Sequence, residues 1–190
     1  MEQVLLFVRH GSIPVRELGG AGPVEPLAPL RRRGLSPRGR EEARAAQAYV
    51  RRWLEEHGRV VERVYVARSR RAEETCEQVF ASAVPRERAR LRPGHLRPQL
   101  DAWFTGGGPS AVIALVGHGP SLQELLADAA PDAPDVARVF GVVAVFARER
   151  GGPWRLRALG PLGAGAGQVG SSGEADDEAR DDKTPDARER

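Results

Sequence analysis

The sequence predicts an α/β fold, a three-layer sandwich with a mostly parallel central sheet and helices on both faces. Three short apolar runs carry that expectation: Val4 to Val8 (VLLFV), residues 61–67 (VERVYVA) and Ala111 to Val116 (AVIALV). Each has the length of a buried strand, and helical patterns separate them. Each also stops on chemistry. The first runs into Arg9-His10-Gly11, the second into Arg68-Ser69-Arg70-Arg71, and the third into Gly117-His118-Gly119. In an open α/β sheet, ligands bind beyond the carboxyl ends of the strands. If the three strands are parallel neighbours, two histidines and several arginines meet in one crevice suited to a phosphate.

A chain of 190 residues with 41% hydrophobic residues can bury one substantial core. One domain over 1–162 is expected, followed by a tail. The first apolar run is too short for a membrane span or a signal-peptide core and lacks preceding basic residues, so a cytoplasmic protein is the default. The single cysteine, Cys76, excludes internal disulfides and any metal site built from cysteines, and its helical context predicts a buried, inert thiol. The basic balance, net +3, comes almost wholly from arginine, with Lys183 the lone lysine and no asparagine. Such skew reflects base composition more than function, although net positive charge helps attract phosphorylated substrates. Aromatic residues make up only 5%, and no basic stretch interleaves with stacking side chains, so nucleic acid is not an expected partner.

Residues 12–34 are rich in Gly and Pro without periodicity, and a loop of that length is commonly functional or disordered. It is either a flap over the crevice, with Arg16 facing the substrate, or an ordinary solvated loop. Leu35-Ser36-Pro37 then opens a helix, with Ser36 as N-cap and Pro37 at the first helical position. Ala43, Ala46, Val50, Trp53 and Leu54 fall near one face of it, and His57-Gly58 closes it, which gives His57 a capping role. A helix over 70–82 follows the second strand. Arginines in its first turn oppose the macrodipole, which an anion bound in front would explain; some of Arg68, Arg70 and Arg71 are expected to be merely solvated.

Residues 84–98 read as irregular, with a short strand near Arg88 to Leu91 and a surface histidine at His95. A short helix over Pro98 to Phe104 leads, through Gly106-Gly107-Gly108, to the third strand. Those glycines lack the Gly-Lys-Ser/Thr of a P-loop. Ser121 to Ala130 form another helix, and Phe140 to Ala147 with Trp154 to Leu159 read as a closing hairpin. From 163 to 190 the composition predicts a disordered acidic, Gly-rich tail. Its Gly165-x-Gly167-x-x-Gly170 matches the dinucleotide spacing, but no amphipathic helix follows.

Taken together, four parts in order give a family likeness: strand then Arg9-His10-Gly11; Leu35-Ser36-Pro37-x-Gly39 opening a helix that continues Glu42-Ala43; Arg71-Ala72-x-x-Thr75; and Val116-Gly117-His118. Over about residues 3–162 the chain resembles the phosphoglycerate mutase-like histidine phosphatase superfamily, and within it the small SixA-type phosphohistidine phosphatases. The resemblance implies a nucleophilic His10 that becomes phosphohistidine and is then hydrolysed. It implies that one hydrogen bond to a backbone carbonyl fixes the tautomer of His10. Arg9, Arg71 and His118 would surround the phosphoryl oxygens, with Gly11, Gly117, Arg70 and Arg16 as further substrate contacts and with no metal or cofactor. The family usually has Ser-Pro before its second arginine. Here Ala67-Arg68-Ser69 stands there, which leaves Arg70 and Arg71 as alternatives, the Ala72-x-x-Thr75 spacing favouring Arg71. No residue matches the glutamate acid of the mutase branch; Asp101 is nearest by chain position and reads as a surface carboxylate.

The expected activity is therefore a metal-independent phosphatase acting as a monomer on a phosphorylated protein or a small phosphorylated substrate, away from membranes. The alternative is a catalytically silent phosphate- or partner-binding module on the same fold.

Overall fold

The computed structural model describes residues 2–14, 32–91, 94–105, 111–133, 135–136 and 138–161. Arg16, residues 15–31 of the expected flap and the expected tail lie outside the described residues.

In chain order the elements are β1 (Glu2–Arg9), α1 (Pro37–Glu56), β2 (Arg63–Ala67), α2 (Arg70–Val79), β3 (Arg86–Ala89), α3 (Leu96–Thr105), β4 (Val112–Gly117), α4 (Gly119–Ala129), β5 (Val143–Glu149) and β6 (Arg155–Gly160). The strands form one sheet in the order β3-β2-β4-β1-β5-β6. The first four in that order run parallel, and β5 and β6 close the sheet as antiparallel partners. β1 is apolar at successive positions because both its faces are covered, as parallel central strands require. Val4, Leu6 and Val8 pack with Ala46 and Val50 of α1 and with Ala72, Cys76 and Val79 of α2. Leu5 and Phe7 pack on the other face with Leu96, Leu100 and Phe104 of α3 and with Leu122 and Leu125 of α4. This is the three-layer arrangement, with two helices on each side. Among the described residues, no helix is long and apolar enough to cross a membrane.

Register places the strand ends that matter at one level. Arg9 of β1 lies opposite Gly117 of β4, and Val116 lies opposite Val66 of β2. His10 and His118 are each the next residue beyond a matched pair, so two positions far apart in sequence arrive side by side.

Several boundaries differ from expectation. α2 stops at Val79 because Phe80 turns extended (φ −113°, ψ 140°) and sinks into the core instead of continuing the helix. α4 begins two residues early, at Gly119, with Pro120 in its first turn and His118 in the N-cap position. β5 begins at Val143, not Phe140, since Gly141 (φ +68°) breaks the extended run just before it. β3 covers Arg86–Ala89 and so starts and ends two residues earlier than Arg88 to Leu91, and α3 extends back to Leu96.

Candidate active site

His10 stands just past β1 with 1% of its surface exposed. Its backbone N–H continues the ladder to the carbonyl of Gly117 at 3.1 Å, and its carbonyl accepts from Gly141 at 3.3 Å. The ring is fixed from both sides. Nδ1 lies 2.8 Å from the carbonyl oxygen of Gly11, which can only accept, so Nδ1 carries the proton. Nε2 lies 3.1 Å from Arg71 Nε, which can only donate, so Nε2 presents its lone pair. Two independent partners select the same tautomer.

Arg71 is the second residue of α2 and is 4% exposed, an unusual position for a guanidinium. One turn on, the hydroxyl of Thr75 donates to the carbonyl of Arg71 at 2.8 Å and accepts the N–H of Gly11 at 3.2 Å. The Arg-Ala-x-x-Thr spacing is thus the distance, along one helix face, between a group that meets His10 and a group that ties down the residue after it. Arg70 points elsewhere. Its side chain is exposed and holds Glu74 at 2.8 Å, while Glu74 also accepts the N–H of Leu35 at 2.7 Å. Of the two alternatives, Arg71 is the one that meets His10.

His118 completes the pair, its ring centroid 5.0 Å from that of His10 at an interplanar angle of 71°. Its Nδ1 is buried without a hydrogen-bond partner among the described residues. Arg9, the last residue of β1, lays its guanidinium carbon 4.2 Å from the centroid of Phe140, whose ring is 5.6 Å from that of His10. Phe140, expected in a strand, instead packs beside both site residues. Gly117 contributes its carbonyl to His10 and passes close to Phe7, where a Cβ would meet Cζ at 2.9 Å.

The loop after His10 is clamped by the start of α1. Ser36 Oγ accepts from Gly39 at 2.9 Å and donates to the carbonyl of Ser12 at 3.1 Å. Glu42 accepts the N–H of Ser12 at 2.7 Å. A Cβ on Gly39 would overlap the carbonyl of Ser12, and one on Gly11 would overlap the carbonyl of Gly39. The Ser-Pro-x-Gly of the helix start is there to let two backbones touch.

Electrostatics keep both imidazoles neutral. Burial is the largest cause for His10, whose pKa falls well below 6.5; His118, Arg71 and Arg9 push it down further, against a smaller upward pull from the Gly11 carbonyl. His118 is lowered to about 3, first by burial and then by Arg71 and Arg9. A neutral, oriented imidazole with an available lone pair, surrounded by cationic and polar donors, is equipped to attack a phosphoryl centre.

The remaining candidates sit apart from this cluster. His57 caps α1, with Nδ1–H directed to the carbonyl of Trp53 at 2.8 Å and its ring stacked on Trp53 at 4.2 Å. His95 is exposed. Asp101 pairs with Arg148 at the amino end of β1, opposite His10, so it is not placed to act there as an acid. Cys76 is buried and its thiol is pushed up to about 11 by burial, so it carries no thiolate. Among the described residues, no group of three or more His, Cys, Asp or Glu is placed to hold a metal ion. Sequence reasoning missed Phe140, Glu74 and Ser12 as parts of the site. Glu42 and Thr75 were visible in motifs but without a role.

No protein-family model and no curated protein matches the sequence. Solved structures do match. The protein histidine phosphatase SixA, solved with tungstate, superposes with a TM-score of 0.59 at 21% identity over 82% of this chain and 95% of its own. The chain has the histidine phosphatase fold. A candidate phosphohistidine phosphatase SixA from Nakamurella multipartitia gives 0.56 at 19% identity, covering 86% of this chain and 98% of that one. Phosphoglycerate mutase from Plasmodium falciparum gives 0.55 at 14% identity, covering 86% and 96%. The histidine phosphatase fold thus accounts for the described architecture from β1 to β6.

Proposed function

We propose that this chain is a phosphatase that passes the phosphoryl group through His10. Nε2 of His10 attacks phosphorus in line, the bond from phosphorus to the leaving oxygen or nitrogen breaks, and a phosphohistidine forms; water then displaces His10 and releases phosphate. Arg71, Arg9 and His118 bind the equatorial oxygens, where charge must be stabilised throughout the transfer. The observation that carries this reading is the paired constraint on the ring, Nδ1–H to the Gly11 carbonyl and Nε2 toward Arg71. It aims the lone pair at the same guanidinium that would hold the phosphate.

The likeness to SixA structures and the lack, among the described residues, of a carboxylic acid contacting His10 favour phosphohistidine in a protein as substrate, with a small phosphomonoester as the other class. An imidazole leaving group can depart already protonated and needs less help than an alkoxide. The proposed enzyme works as a monomer in the cytoplasm, with the arginines supplying the positive charge that a metal provides elsewhere.

A turnover panel tests this: phosphohistidine protein, sugar phosphates, nucleotides and a generic aryl phosphate, each with wild type and His10→Ala. Turnover of at least one substrate that disappears in His10→Ala is expected. Phosphate binding without turnover of any member would favour the silent module.

A further inference from the structure

Beside the His10 site, at the same end of the sheet, lies a depression lined chiefly by arginines. Arg32, Arg68, Arg70 and Arg88, with Ser69 and Glu73, line a depression of about 690 Å³. That is far more room than a phosphoryl group needs. All four arginines are exposed. Glu74 holds Arg70 at 2.8 Å and Glu73 holds Arg88 at 2.9 Å, whereas Arg32 and Arg68 meet no carboxylate among the described residues. Among the described residues four cations face two acids, so the depression keeps a positive surplus.

Its position follows from topology. Moving across the carboxyl edge from β1 to β4, β2 and β3 passes His10, His118, Arg68 and Arg88 in turn. Arg88 is level with Val66, which is level with Val116, so these groups share one edge. Neighbouring strands lie about 4.8 Å apart, which makes the path from His10 to Arg88 roughly 14 Å, or about four residues of extended peptide. A small phosphomonoester held at His10 cannot span that distance. A phosphorylated protein can.

We propose that this depression seats an acidic segment of a phosphorylated protein, so that phosphoproteins with Asp or Glu about three to five positions from the phosphorylated residue are the preferred substrates. The proposal rests on the phosphatase reading above and names its substrate class. Protein is favoured over nucleic acid because, among the described residues, no aromatic side chain lines the depression to stack on a base.

The test compares kcat/KM for two phosphohistidine peptides that differ only in acidic against glutamine flanks, with a generic aryl phosphate as the reference. Wild type should prefer the acidic peptide by about fivefold at low salt, as two exposed charge pairs allow, and the preference should shrink in half-molar salt. In Arg68→Gln/Arg88→Gln the preference should vanish while aryl phosphate turnover stays unchanged. Equal rates on both peptides, or a preference that survives in the double variant, would overturn the docking proposal and leave the phosphatase reading standing. Stronger inhibition by a single-stranded oligonucleotide than by the unphosphorylated acidic peptide would also overturn it. If wild type turns over neither the peptides nor the aryl phosphate, the phosphatase reading itself has failed.

Discussion

Arg71 Nε lies 3.1 Å from His10 Nε2, so the guanidinium sits on the ring's one lone pair, the one that the proposed reaction directs at phosphorus. In the proposed mechanism an arriving phosphoryl group replaces the ring nitrogen as the acceptor, and the arginine moves from holding the nucleophile to holding an equatorial oxygen. Arg71→Ala should therefore reduce kcat by about 10²–10³-fold, the usual effect of losing one such donor. Arg71→Lys should recover only part, because an ammonium is a point charge without the planar fork. Steady-state kinetics on an aryl phosphate, with circular dichroism to confirm folding, checks both. A loss under tenfold in Arg71→Ala would remove this residue from the chemistry.

The neutral histidines make stability depend on pH in a defined direction. In the unfolded chain each takes up a proton below about pH 6.5. In the folded protein His118 resists protonation down to about 3 and His10 is also held well below its usual value. The unfolded state binds more protons in that window, so stability is full above about pH 6.5 and declines as pH falls toward 3. At pH 5.5 the loss should be about 1.4 kcal/mol from His118, with His10 adding to it in the same direction. Urea midpoints at pH 7.5 and 5.5 measure it, and His118→Gln should make the difference smaller. A midpoint that does not move would mean that the imidazoles are protonated in the fold.

Close backbone contact at the helix start yields a third expectation. A methyl at Gly39 would overlap the carbonyl of Ser12, so Gly39→Ala must push the loop after His10 away from α1. The cost should be about 1–3 kcal/mol, the range for overpacking a closed site, despite alanine's better helix propensity. Denaturant unfolding reads this directly. A stabilised Gly39→Ala would show that the contact yields freely.

Thr75 separates positioning from bulk. Thr75→Val keeps the shape but leaves the buried N–H of Gly11 unpaired, which should cost about 1–3 kcal/mol and lower kcat. Thr75→Ser retains the hydroxyl and should restore most of the rate. Equal activity in Val and Ser variants would make the residue a packing group alone.

The sequence made the strand ends legible because a buried run that stops on Arg-His-Gly or Gly-His-Gly is abrupt and local. Between Arg70 and Arg71 the sequence left a choice, and the family's Ala72-x-x-Thr75 spacing favoured Arg71, the one that meets His10. Other parts were hidden for physical reasons. β3 (RERA) is largely exposed and edge-placed, so it carries no apolar alternation to mark its limits. Phe140 looked like the first residue of an apolar strand, and only the left-handed backbone at Gly141 turns it toward His10 and Arg9. Glu74 and Ser12 act through contacts made across the fold, at separations of 39 residues for Leu35 with Glu74 and 24 for Ser12 with Ser36, which no local pattern records.

The central claim is that phosphate is carried on Nε2 of His10, and trapping the carrier tests it most directly. Wild type mixed with a ³²P-labelled substrate, quenched in base and digested, should yield label on the peptide that contains His10. That label should survive base, be lost in acid, and be absent from His10→Ala. Label on a different residue, or full turnover by His10→Ala, would contradict the account.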